Sequence, residues 1–165
     1  MIVSAGNDVN LGGAAIEALG KEGAITITAG HDINSTTDTL TAKKDMTQDG
    51  DNYLRTYRQT ELGTTIEAGG DISIGAKHDV KARNLTVSSD SSAVKVIGEH
   101  DVSIENGYSE SKDAFALKYK EKGLLNKKET KIKTNDESKN ALMSTLSGHT
   151  VVVGANNDVT LTSTN

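Results

Sequence analysis

The chain has 165 residues, a formal net charge of −5, 16 glycines, no cysteine, no proline, and only 3% aromatic residues. No disulfide framework, thiolate nucleophile or cysteine-type zinc site can be built from it, and no run approaches the ~18 apolar residues that cross a bilayer as a helix. The acidic balance argues against nucleic acid as a partner, and the length fits one domain whose core must be filled by Val, Ile, Leu and Ala in place of the aromatics that usually bury most area.

The first residues, Met1-Ile2-Val3-Ser4-Ala5-Gly6, have neither a basic n-region nor an apolar h-region, so no signal peptide is expected there. A repeat begins at once: Ala or Gly, two residues, Asp, then apolar-x-apolar or a close relative of it. It reads Ala5-Gly6-Asn7-Asp8-Val9-Asn10-Leu11, and after the alternating strand Ile25-Thr26-Ile27-Thr28 it returns as Ala29-Gly30-His31-Asp32-Ile33. It recurs as Ala68-Gly69-Gly70-Asp71-Ile72-Ser73-Ile74, as Ala76-Lys77-His78-Asp79-Val80, as Gly98-Glu99-His100-Asp101-Val102-Ser103-Ile104 and as Ala155-Asn156-Asn157-Asp158-Val159-Thr160-Leu161. Between these copies, Leu85-Thr86-Val87 and Val94-Lys95-Val96 alternate with period two, which is the signature of short half-buried strands.

The aspartates at 8, 32, 71, 79, 101 and 158 are separated by 24, 39, 8, 22 and 57 residues. Gaps of 24 and 22 suggest one structural turn, a gap of 8 two corners of one turn, and gaps of 39 and 57 turns with insertions. Short strands, tight corners and turns of this length describe a parallel β-helix of about five coils, stacked at about 4.8 Å. The slot before each Asp holds Asn7, His31, Gly70, His78, His100 and Asn157. Gly, Asn and His tolerate positive φ better than most residues, so this slot reads as a left-handed corner. The structural corners are then Asp8, Asp32, Asp71, Asp79, Asp101 and Asp158, each accepting from neighbouring backbone amides as in an Asx turn.

Two stretches break the repeat, one near 43–63 and one near 107–145, and all five aromatics (Tyr53, Tyr57, Tyr108, Phe115 and Tyr119) lie within them. The second alternates on both sides of Glu121–Lys128 and reads as a long β-hairpin, projecting or packed on the flank of the coils. It carries nine lysines against six acidic residues. An arm of ~12 residues would reach about 40 Å. An isolated two-stranded hairpin is marginal in water, so it is expected to lean on the coils beside the first insertion, where Tyr53 and Tyr57 offer apolar contacts. Its Phe115, Leu117, Tyr119, Leu124, Leu125, Lys127 and Lys128 are the candidate interaction surface, with the lysines suited to acidic glycans.

No catalytic constellation stands out. Gly-x-Ser-x-Gly, P-loop and His-Glu-x-x-His signatures are missing from the sequence, and Arg83 has no Asp-Asp or Asn-x-Asp pair near it of the kind a glycan-cleaving β-helix needs. His31, His78 and His100 share one repeat slot and would make a metal ladder if stacked. Their separations of 47 and 22 residues argue against a common register. No metal, cofactor or enzymatic activity is therefore expected; the alternative is a glycan-binding or glycan-cleaving β-helix protein.

The Ala-Gly-Asn/His-Asp-apolar copies, together with Lys122-Gly123-Leu124-Leu125, Lys128-Glu129-Thr130, Ser144-Thr145-Leu146-Ser147-Gly148 and Val151-Val152-Val153, resemble the haemagglutinin-repeat region of filamentous haemagglutinins and contact-dependent growth inhibition exoproteins of two-partner secretion systems. The resemblance spans essentially the whole chain. It implies a right-handed β-helix that forms one fragment of a longer virulence exoprotein, secreted or displayed outside the Gram-negative outer membrane. It implies a structural stalk used in adhesion or in presenting a toxin to neighbouring cells. The implied partners are adjoining coils of the parent, an outer-membrane transporter during secretion, and a cell-surface receptor or glycan.

Overall fold

The computed structural model describes residues 1–123 and 126–163. The protein is all-β, with mostly parallel sheets and no helix among the described residues. The first round of chain gives β1 (Ile2–Ala5), β2 (Val9–Gly12) and β3 (Ala15–Ala18). The second gives β4 (Ile25–Ala29) and β5 (Ile33–Thr36), leaves through β6 (Asp38–Asp49) and β7 (Asn52–Leu62), and returns at β8 (Thr65–Ala68). The third is uninterrupted: β9 (Ile72–Ala76), β10 (Val80–Arg83) and β11 (Thr86–Ser89). The fourth gives β12 (Ala93–Gly98) and β13 (Val102–Glu105), leaves through β14 (Gly107–Lys122) and β15 (Lys127–Leu142), and returns at β16 (Thr145–Ser147); β17 (Thr150–Ala155) and β18 (Val159–Leu161) begin a fifth.

Each round adds one strand to each of three parallel sheets, ordered β1-β4-β9-β12-β17, β2-β5-β10-β13-β18 and β3-β8-β11-β16. Register is fixed by apolar columns. Val3, Ile27, Ile74, Val96 and Val153 align in the first sheet. Val9, Ile33, Val80, Val102 and Val159 align in the second, and Ile16, Ile66, Val87 and Leu146 in the third. Slipping one strand by a single residue would turn its whole apolar set outward. Ile25, Ile27, Val87, Val94, Val96 and Ile104 are fully buried, each stabilising the core by about 1.5–3 kcal/mol relative to exposure. Such a core needs no aromatic residue, because rounds spaced at about 4.8 Å bring like-sized aliphatics into contact.

The chain divides into two compact units. The first holds the three parallel sheets: 1–38, 61–107 and 141–165. The second, 39–60 and 108–140, is built from the two excursions. They join as one sheet, ordered β15-β14-β7-β6, in which β14 pairs antiparallel with β7. The first excursion starts at Asp38 rather than near Lys43, because Thr39-Leu40-Thr41-Ala42 continues the strand alternation.

The positions of the left-handed corners correct the sequence reading. Among the described residues only Gly13 (51°), Asn84 (51°) and Ser163 (47°) have positive φ, so none of Asn7, His31, Gly70, His78, His100 or Asn157 does. Gly13 lies between β2 and β3, and Asn84 between β10 and β11. The second and fourth rounds open at this same corner to release the two excursions. Buried side chains tie the returning chain back in: the Thr64 hydroxyl accepts from the Ala14 amide at 3.4 Å, while the Ser144 hydroxyl accepts from the Leu85 amide at 3.0 Å and donates to the Glu105 carbonyl at 2.7 Å.

Candidate functional site

The corner between the first and second sheets carries the densest polar chemistry. Four carboxylates each reach one round onward. Asp8 Oδ1 accepts from the Asp32 amide at 3.0 Å, Asp32 Oδ1 from the Asp79 amide at 3.0 Å, Asp79 Oδ1 from the Asp101 amide at 3.2 Å, and Asp101 Oδ1 from the Asp158 amide at 3.0 Å. The expected local Asx turn is thus replaced by a bond to the next round, and the aspartates staple the stack edgewise. Asp71 stands apart from this column. It occupies the corner leading into β9 and accepts from the Ala93 amide at 3.0 Å.

The residue before each Asp adds a second donor. His78 Nδ1 lies 2.9 Å from Asp32 Oδ1, His100 Nδ1 lies 3.1 Å from Asp79 Oδ1, and Asn157 Nδ2 donates to Asp101 Oδ1 at 2.8 Å. His31 Nδ1 sits between Asp8 Oδ1 at 3.4 Å and Asp32 Oδ2 at 3.2 Å. Histidine and asparagine are interchangeable here because each presents a nitrogen donor to the preceding carboxylate; backbone conformation is not the reason. Gly70 belongs to the Asp71 corner and has no such task.

The imidazoles of His31, His78 and His100 are in register, contrary to the expectation from their separations. Ring centroids are 4.6 Å apart for His31–His78 and 4.9 Å for His78–His100, with planes inclined by 16° and 6°. The interval of 47 residues between the first two contains the β6–β7 excursion, which leaves and rejoins at another corner and so does not shift the column.

Burial and charge set the electrostatics. The Asp79 side chain is only 7% exposed and also accepts from Lys81 Nζ at 2.7 Å. The Lys81 ammonium, reinforced by His100 and the Asp101 amide against the cost of burial, holds its carboxyl down at about 2. For Asp32, burial works against ionisation, yet the Asp79 amide and His78 prevail and its carboxyl lies below the usual range. Asp101 is lowered chiefly by Asn157. Lys81 was not singled out by the sequence; its place two residues after Asp79 on an alternating strand is the signal that could have found it.

The second unit presents a different surface. Phe115, Leu117 and Tyr119 follow one another at every second position of β14 and are 36%, 38% and 42% exposed, while the intervening Ala116 is buried. β14 does lie beside the first excursion, with Ala116 opposite Tyr53 and Lys112 opposite Tyr57. Strand alternation therefore puts Tyr53 and Tyr57 on the face opposite to Phe115, Leu117 and Tyr119. Tyr53 and Tyr57 take Arg55 and Lys43 over their rings instead. A bidentate Arg58–Asp113 pair at 2.8 and 2.7 Å clamps β7 to β14. Lys127 and Lys128 are exposed at the start of β15; Leu124 and Leu125 lie outside the described residues. The Gly123 amide donates to the Asn126 carbonyl at 2.8 Å.

Comparison with protein-family models, curated proteins and solved structures finds no match to this chain.

Proposed function

We propose that this chain is a stalk segment of a filamentous-haemagglutinin-like exoprotein. Its parallel sheets would be coils of a right-handed β-helix and its second unit would be an adhesive arm. The observation that carries this reading is the carboxylate-to-amide column, which repeats the same contact from round to round. A frame of this kind extends by adding rounds with the same bonds, which is what a structural spacer requires. The resemblance of the corner copies and of the lysine-rich hairpin supplies the biological setting: secreted or surface-displayed, carried out through an outer-membrane transporter, and joined at its ends to further coils of a parent protein. In this reading the segment is not an enzyme and holds its function in adhesion or in presenting a toxin.

The proposed contact surface is the Phe115, Leu117 and Tyr119 face, with Lys127 and Lys128 drawing in acidic glycans. Exposed apolar side chains grouped on one face are a common mark of an interaction site. The test is binding of the purified chain to whole cells and to immobilised acidic glycans. Replacing Phe115, Leu117 and Tyr119 together by Ser should lower binding at least about tenfold, leaving the far-ultraviolet spectrum and melting temperature unchanged. Undiminished binding by that variant, or turnover of a glycan by the parent chain, would contradict the proposal.

A further inference from the structure

The histidines at the corner form a column whose nitrogens and oxygens alternate: Asp8, His31, Asp32, His78, Asp79, His100, Asp101. Each Nδ1 faces the carboxylate of its own round and that of the round before, at 2.9–3.4 Å. Two ligand atoms bound at about 2.0–2.1 Å to one tetrahedral ion stand about 3.4 Å apart, so these separations already have the scale of a coordination shell. Two trios have all their ligand atoms within 4.8 Å of one another: His31, Asp32, His78 and His78, Asp79, His100.

We propose that the column binds one divalent transition-metal ion, of the zinc or nickel kind, through His31, Asp32 and His78. Two imidazoles and one carboxylate select such ions over calcium or magnesium, which prefer oxygen alone. The rings of His31 and His78 are about half exposed, so they can turn inward by the ångström or so that closes the shell. The choice between the trios follows from Lys81. Its ammonium already occupies Asp79 Oδ2 at 2.7 Å, whereas the close ion pairs of Asp32 are with the two histidines of its own trio. Because both trios share His78, only one can be filled through its Nδ1 at a time. The column's aspartates also draw a cation toward this corner.

The test is calorimetric titration of the chelator-stripped full chain with zinc, with nitrogen NMR of the imidazoles as a second readout. One zinc per chain should bind in the micromolar range, with a rise in melting temperature and a shift of the His31 and His78 Nδ1 signals. His31→Asn and His78→Asn should each weaken binding at least about tenfold. His100→Asn should change it less than about twofold, as should His149→Asn, since that exposed histidine lies outside the column. The three column variants should fold, because asparagine already fills the slot at Asn7 and Asn157 and at the latter keeps the bond to the preceding carboxylate; His149 is exposed, so its variant should fold as well. Absence of saturable binding below millimolar zinc would overturn the proposal. So would equal losses in His31→Asn and His100→Asn, which would mark the histidines as independent surface ligands.

Discussion

Gly63→Ala should be the most damaging small substitution in the chain. A Cβ at Gly63 would lie 1.6 Å from the Asn84 carbonyl oxygen, and backbone cannot swing aside as a side-chain tip can. The returning strand would have to move away from the left-handed corner at Asn84, straining the bond from Asn84 Nδ2 to the Glu61 carbonyl, now 2.9 Å. We expect a loss of about 3 kcal/mol or more, seen as a fall of about 6–12 °C in melting temperature. Gly75→Ala is the matched control. It sits in β9 with no atom within 4 Å of the added Cβ, so it should stay within about 0.5 kcal/mol of the parent. Equal melts for the two variants would mean that the excursion does not re-enter at the Asn84 corner.

The second large effect is expected at Asp79. Asp79→Ala removes the acceptor of the Asp101 amide, of His100 Nδ1 and of Lys81 Nζ together. Bonds to a charged acceptor are the stronger kind, and the half-buried Asp101 amide left unpaired adds a penalty of its own, so the loss should be about 2–3 kcal/mol. Asp71→Ala, in another copy of the same loose motif but exposed and accepting from the Ala93 amide at 3.0 Å, should cost about 1 kcal/mol or less.

A pH profile tests the role of Asp79 further. The folded Asp79 carboxyl is held at about 2 against an ordinary 3.8. Its contribution is therefore fully present above about pH 4 and is lost as pH falls from there toward 2. Asp32 and Asp101 are shifted in the same direction and add to the slope. Chemical denaturation between pH 5 and 2 should give a shallower decline for Asp79→Ala than for the parent. Parallel declines would contradict the role given to that carboxylate.

The sequence made strand content and the repeat easy to read, because β-branched residues at every second position have one economical use in a sheet. It also revealed that Asp71 and Asp79, eight residues apart, sit at two corners of one round. The corner chemistry was harder. Asn, His and Gly share a tolerance for positive φ, and that shared trait suggested a left-handed slot. What Asn157, His78 and His100 share in the fold is a donor aimed at the previous carboxylate, a contact between residues 21 to 56 positions apart that no local pattern discloses. The histidine register was hidden for a related reason. A raw interval counts an excursion as if it advanced the column, although β6 and β7 leave and return at a different corner. In the arm, alternation identified the strands, but the face of β14 that meets each partner depends on its pairing with β7, which fixed Phe115 opposite Leu54 rather than beside Tyr53.

The proposed division of labour has parallel rounds that would stand by themselves as a scaffold and a second unit that would carry recognition. The most direct test replaces residues 108–140 with a short Gly-Ser loop and follows thermal melting and cell-surface binding in the same preparation. The columns through Ile27, Ile33 and Ile66 and the aspartate bonds at the corner all lie within the first unit. The shortened chain should therefore keep a cooperative melt and strand-type far-ultraviolet spectrum while losing binding. A chain that no longer melts cooperatively, or that folds and still binds as before, would contradict the central claim.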